Sequence, residues 1–286
     1  MDQKNETQPD QQTIEEILNL YKSGKLNKAK KKIENCIKKF PKSFVLFNIL
    51  GGVYAGQDEL EVAINHHKKS IEINPDYAEG YNNLGIAFQK LGLFEEAIKN
   101  YKRAIELNQK NSKFFYNLAL TQTDIGNYYD AIKNYKKAIN LSKDYVSAKY
   151  NLARLNLSIE NFKHGWHDFE TRHQHEMVPT RVKKIINLNQ WNGSKINNKL
   201  FVHGEQGIGD IILHSSIIAD LNKIQKKICL TVDNRLVSLF KRSFNKIEVV
   251  DYESKLNYKK NDQHIPLASL GSFLRNSISK FPKKPN

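Results

Sequence analysis

AEGYNNLGIAFQKLGLFEEAIKNYKRAIELNQKN, running from Ala78 to Asn111, is the stretch whose reading decides the fold. Its apolar residues recur every three to four positions on both sides of Gly92, which predicts two amphipathic helices joined by a tight turn. Written in blocks of 34, the chain lines up around this stretch without a gap, the block before beginning at Phe44 and the block after at Ser112. Leu50, Leu84, Leu118 and Leu152 then fall in register, with the small residues Gly51, Gly85, Ala119 and Ala153 beside them. A second small position recurs at Ala29, Ala63, Ala97 and Ala131.

Antiparallel helices approach closely only where a small side chain faces a large one, so the small positions mark helix crossings and Tyr54, Phe88, Tyr101 and Tyr135 fill the space between. Gly24, Gly92 and Gly126 are placed to end first helices, and Pro41 and Pro75 to end second ones. A helix–turn–helix unit with this period is the tetratricopeptide repeat, TPR. The expected fold class is therefore mostly α: a disordered start over residues 1–9, then a TPR superhelix of four to five repeats at about 10–43, 44–77, 78–111, 112–145 and 146–177.

Stacked helix pairs present a concave face lined by their first helices, and such faces bind peptides or partner domains. Asn83, Asn117 and Asn151 recur on that helix just before the Leu–small pair. A ladder of carboxamides can pair with the backbone of an extended peptide whatever its side chains. The pattern resembles the asparagine ladder in the TPR superhelix of the O-linked N-acetylglucosamine transferase family. Asparagine is also common at this position in TPRs of any function, and the ladder breaks at Ile49.

The period ends after about Val178. Residues 178–198, basic and rich in Asn, read as a linker, and residues 199–286 as a segment of another class. KLFVH from Lys199, KICLTV from Lys227, KIEVVD from Lys246 and QHIPL from Gln263 are short apolar runs suited to buried strands, with helical periodicity over Ile211 to Ile224 and Leu236 to Lys241. Strand–helix alternation predicts a parallel, Rossmann-like α/β sheet, partial at this length. Gly204, Gly207 and Gly209 permit a tight turn after the first strand, and the amides of the next helix favour an anion. The ligand loop is thus Gly204, Glu205, Gln206, Gly207 and Gly209. Spacing alone favours a simple helix cap with Asp210 in the first turn, because GxxGxGD is not the dinucleotide fingerprint.

The run NFKHGWHDFETRH from Asn161, then QWNG from Gln190, then LFVHGEQGIGDIILHSSIIADL from Leu200, resembles bacterial TPR proteins whose last repeat leads into a glycosyltransferase-like domain of the GT-B class. GIGDIILHSSI is also similar to the first-strand turn of heptosyltransferases. The resemblance implies transfer of a sugar from a nucleotide-sugar donor, with Asp210 as the general base that deprotonates the acceptor hydroxyl. It also implies a second, donor-binding sheet domain. Only about 85 residues follow Lys199, so this donor-binding half is expected to be absent and activity by this chain alone is not expected. The alternative is a non-catalytic TPR scaffold.

Composition narrows the partners. The net charge is +15, yet 38 of the 45 basic residues are lysines scattered along helices rather than arginines in clusters, so a protein or peptide is expected as partner and no specific nucleic acid. No apolar run is long enough to span a membrane and the polar start lacks a secretory pattern, which reads as cytoplasmic. Cys36 and Cys229 have no ligand or disulfide spacing, His173 and His175 face different sides of a helix, and neither a metal nor a cofactor is expected. Trp166 and Phe169, three apart, read as core rather than as a sugar platform.

Overall fold

A computed structural model describes residues 8–174, 188–205 and 207–282. By contact the chain forms two compact units, Met1–Ala148 and Lys149–Asn286.

Among the described residues the first unit holds eight complete helices: α1 (Gln11–Lys22), α2 (Leu26–Lys39), α3 (Phe44–Gly56), α4 (Leu60–Ile73), α5 (Ala78–Lys90), α6 (Phe94–Leu107), α7 (Ser112–Asp124) and α8 (Tyr128–Leu141). They pack as antiparallel pairs at the expected crossings. A Cβ added to Gly51 would lie 2.7 Å from the His67 ring, and one added to Gly85 2.7 Å from the Tyr101 ring. Those rings belong to a recurring position, Ile33, His67, Tyr101 and Tyr135, each at most 2% exposed. The turns repeat with the same period. Gly24, Gly92 and Gly126 have φ of 71°, 76° and 78°, and Asp58 and Glu160, which fall at the same repeat position, take the left-handed conformation too, with φ of 66° and 64°. The geometry belongs to the fold, whichever residue occupies it.

The second unit starts within the first turn of α9 (Val146–Ser158), which pairs with α10 (Phe162–Phe169) as a fifth helix–turn–helix. After a 3₁₀ turn at Glu170–Gln174 come β1 (Asn189–Gln190), β2 (Leu200–His203), α11 (Ile208–Ser215), α12 (Ile218–Ile224), β3 (Ile228–Val232), α13 (Asn234–Ser243), β4 (Glu248–Asp251), β5 (Gln263–Pro266) and α14 (Leu270–Leu274). The strands form one small, wholly parallel sheet in the order β1-β5-β2-β3-β4. Every residue of β2 and β3 is buried, which is why both read as continuous apolar runs.

On one face Leu200, Val202, Ile228, Leu230 and Ile265 pack with Ile211, Ile218, Leu221, Leu236 and Phe240 of the helices. Phe201 and Cys229 point to the other face, with Leu188, Val250 and Leu256. Burial pushes the Cys229 thiol up to about 12, whereas Cys36 is only half-buried. The basic stretch read as a linker contains β1 in its described part, with Trp191 buried at 1% exposure; Val178, Pro179 and residues up to 187 lie outside the described residues, as does His175.

Glu160 is strained by its left-handed backbone with a side chain that gains nothing there, and glycine removes that strain at the cost of a looser unfolded chain. Glu160→Gly should raise stability by roughly 0.5–1 kcal/mol in urea unfolding, while Gly92→Ala should lower it by about 1 kcal/mol.

Candidate functional site

Two places carry the polar groups singled out in the sequence, one in each unit. In the first unit the asparagines form a chain. Asn117 Nδ2 on α7 donates to Asn82 Oδ1 on α5 at 2.9 Å, and Asn82 Nδ2 donates to its neighbour Asn83 at 3.2 Å. Asn83 Nδ2 donates to Asn48 Oδ1 on α3 at 3.1 Å, and Asn48 Nδ2 to the Tyr77 hydroxyl at 3.2 Å. First helices of neighbouring repeats are thereby tied by amides. Asn48 and Asn82 are buried, while Asn83 and Asn117 stay half-exposed. A carboxamide offers two N–H donors and two acceptor lone pairs, so these half-exposed groups keep capacity beyond the bonds they make in the stack. Asn151 holds the same repeat position on α9 and is half-buried.

His67 Nδ1 also lies 3.0 Å from Asn48 Oδ1 and, with that oxygen as acceptor, carries the proton. The sequence reading passed over Asn48, Asn82 and His67. The signal for them was present: Asn48 and Asn82 are 34 apart, and His67 stands one period before Tyr101. Burial, with a smaller effect of His66, pushes the His67 imidazole down to about 4.

In the second unit the turn after β2 divides into an inward and an outward half. Gly204 continues the sheet, its N–H donating to Thr231 O at 2.9 Å and its carbonyl accepting from the Tyr252 hydroxyl at 2.7 Å. Glu205 is 6% exposed, and its Oε1 accepts from Arg172 Nε at 3.0 Å and from a terminal guanidinium nitrogen at 2.9 Å. Arg172 is fully buried. Its remaining hydrogens go to Glu170 Oε1 at 2.8 Å, Ser269 Oγ at 2.6 Å and Phe169 O at 3.2 Å, and Ser269 Oγ donates to Glu170 Oε2 at 3.0 Å. Gly207, Gly209 and Asp210 face solvent, Gly207 as the N-cap of α11 and Asp210 in its first turn. Gln206 lies outside the described residues.

The other motif residues serve packing nearby. Trp166 and Phe169 are buried with Ala153 and Ala268, and the Trp166 indole N–H donates to Arg275 O at 2.9 Å. A Cβ on Gly271 would strike the Trp166 ring, and Gly193, at φ 91°, lies against Phe273, which packs on Trp191 with ring centroids 5.3 Å apart. His214, held below its ordinary value by burial and then by Arg172, sits beside Trp166 and Phe169.

The repeat geometry of the first unit has known counterparts. Tetratricopeptide-repeat families match residues 78–111, 51–92 and 100–133. The helix pairs of the first unit are TPR repeats. Protein FlbA of Caulobacter vibrioides is 28% identical over 137 residues, a match that takes in 42% of this chain and 23% of FlbA. Among solved structures, Pseudomonas aeruginosa pilF superposes with a TM-score of 0.57 at 16% identity, covering 82% of this chain and 90% of that one. TTC0263, a thermophilic TPR protein of Thermus thermophilus, superposes with a TM-score of 0.51 at 20% identity, covering 58% and 91%. These structural likenesses concern the fold.

Two outcomes follow from the buried groups. The folded His67 pKa is below that of the unfolded chain, so unfolding takes up a proton between about pH 6.5 and 4; stability is complete above that window and falls as pH drops through it, by up to about 3 kcal/mol. Replacing His67 by Tyr, the residue at this position in the next two repeats, should flatten the pH dependence of the urea midpoint in that window. Arg172→Met should cost about 3–5 kcal/mol by leaving Glu205 buried without its cation, and Arg172→Met with Glu205→Leu should recover most of that loss in the same assay.

Proposed function

We propose that the TPR stack binds a polypeptide in extended form along its first helices, recognising the backbone through Asn83 and Asn117. The observation that carries this reading is the amide chain from Asn117 to Asn48, which fixes each half-exposed carboxamide in one orientation by a bond to the neighbouring repeat. A carboxamide held by its own neighbours loses little rotamer freedom when it meets a ligand, which favours affinity. Asn151 holds the same repeat position in the second unit and offers a carboxamide of the same kind there. Paired donors and acceptors suit peptide N–H and C=O groups and take little notice of side chains, so the partner is a protein or peptide with an exposed, unstructured segment. Among the described residues no helix is long and apolar enough to cross a membrane.

A second reading concerns the α/β segment. Gly207, Gly209 and Asp210 are exposed at the carboxyl end of β2, where ligands of open parallel sheets sit, which favours a ligand edge for the phosphates of a nucleotide sugar with Asp210 as base. Glu205 would then support the loop from beneath rather than touch the ligand. None of the matches named above is to a glycosyltransferase, and the scaffold reading needs only the TPR stack. Titration with nucleotide sugars separates the two: saturable binding that weakens in Asp210→Ala supports a working ligand edge, and no binding by the folded chain leaves the scaffold.

The backbone-recognition reading has a sharper test. Peptides selected on the full chain should lose about tenfold in affinity against Asn83→Ala/Asn117→Ala and should fail to bind when their backbone is N-methylated. A methylated peptide that binds as well as its parent would contradict the reading.

A further inference from the structure

The first turn of α2 is charged against the helix dipole, although Lys38 and Lys39 in its last turn agree with it. In α4, α6 and α8 the first turn carries Glu61, Glu95 and Glu96, and Asp130, as the positive end of a helix dipole favours. In α2 the first turn has no acid, and Lys28 stands where the later repeats have Val62, Glu96 and Asp130. At the far end Lys39 replaces Ile73, Leu107 and Leu141. An acid at position 28 would suit the positive end of the α2 dipole, so helix stability does not explain the lysine there.

These lysines line a hollow of about 500 Å³, Lys28, Lys31, Lys32 and Lys39 together with Asn35 and the apolar Leu20 and Cys36. Of these four, Lys32 alone forms an ion pair among the described residues, with Glu16. The repeat itself says what shape fits. Leu20 occupies the position of Tyr54 in the next repeat, and there the ring is covered by Lys30 of the preceding second helix, 4.3 Å from its centroid. The hollow is therefore the slot that a second helix occupies one repeat later.

We propose that this face of α1 and α2 binds an acidic amphipathic helix of a partner protein, its apolar side on Leu20 and Cys36 and its carboxylates on Lys28, Lys31 and Lys39. A helix as long as α2, 14 residues, spans the row of lysines. Nucleic acid would meet the same charge, but the apolar Leu20 and Cys36 offer a phosphate backbone nothing, and lysine lacks the fork that specific phosphate contacts favour. The site is separate from the amide chain and does not depend on it.

The test uses the full chain and fluorescence anisotropy with a labelled probe of about 14 residues, Leu at i, i+3, i+4 and i+7 spacing and Glu elsewhere. The triple variant Lys28→Glu/Lys31→Glu/Lys39→Glu should weaken binding by at least about tenfold, and the control Lys133→Glu/Lys136→Glu/Lys137→Glu on α8 by less than about twofold. Asn83→Ala/Asn117→Ala should bind the probe as wild type does, which keeps this result distinct from the groove. Folding is monitored by Tm, which for Lys28→Glu alone should be no lower than wild type, because the change agrees with the dipole. Four results would each overturn the proposal: no binding of the probe, equal losses in both triples, equal affinity for a probe with every Leu changed to Ser, or a single-stranded DNA that binds as tightly at the same salt.

Discussion

A small residue on the first helix of each repeat facing a large one on the second sets the geometry on which the TPR stack depends. Gly51 under His67 and Gly85 under Tyr101 leave no room for even a methyl group, so the ring fixes where the helices of these pairs cross. That crossing fixes how each pair presents its outer faces to the next, and only with those faces in register can Asn83 reach Asn48 and Asn117 reach Asn82 across neighbouring repeats. The polar chain is thus a consequence of the apolar crossing. His67 belongs to both: its ring fills the crossing, and its Nδ1 joins the amides.

Most of the repeat architecture was legible because it is written in a period. Leucines, small residues and turn glycines at fixed offsets left one arrangement open, and the helices begin and end within a few residues of where Gly and Pro place them. What was not legible was the wiring of the amides. Asn83 and Asn117 stood out as repeated polar residues, but that they bond to Asn48 and Asn82 depends on the lateral offset of adjacent repeats, which no single block reveals. Likewise the left-handed turns at Asp58 and Glu160 were hidden because the residues there are not glycine, although the period alone would have located them.

In the second unit the strands showed plainly, since parallel strands buried on both faces become unbroken apolar runs, and β2, β3, β4 and β5 lie where those runs were read. Strand β1, two residues long and polar, carried no such signal. The turn at Gly204–Asp210 was read as a single loop, and the structure splits it. Glu205 turns inward to Arg172 because a buried guanidinium with five donors needs anions on several sides, and Glu170, Glu205 and Ser269 supply acceptors from three separate segments. The motif around Trp166, Phe169, Glu170 and Arg172 is thereby accounted for by packing within this unit, independent of any chemistry at Asp210. Of the loop residues described, Gly207, Gly209 and Asp210 are left facing solvent.

The central claim is that the half-exposed amides of the TPR stack meet the backbone of a bound polypeptide. The most direct measurement is the ¹⁵N–¹H spectrum of the side-chain carboxamides, assigned by single Asn→Gln substitutions, recorded as a selected peptide is added. Shifts of the Asn83 and Asn117 NH₂ resonances that saturate with the peptide, larger than those of exposed asparagines such as Asn27, are the predicted result. Saturable binding with both resonances unmoved would contradict the account and place the ligand elsewhere on the chain.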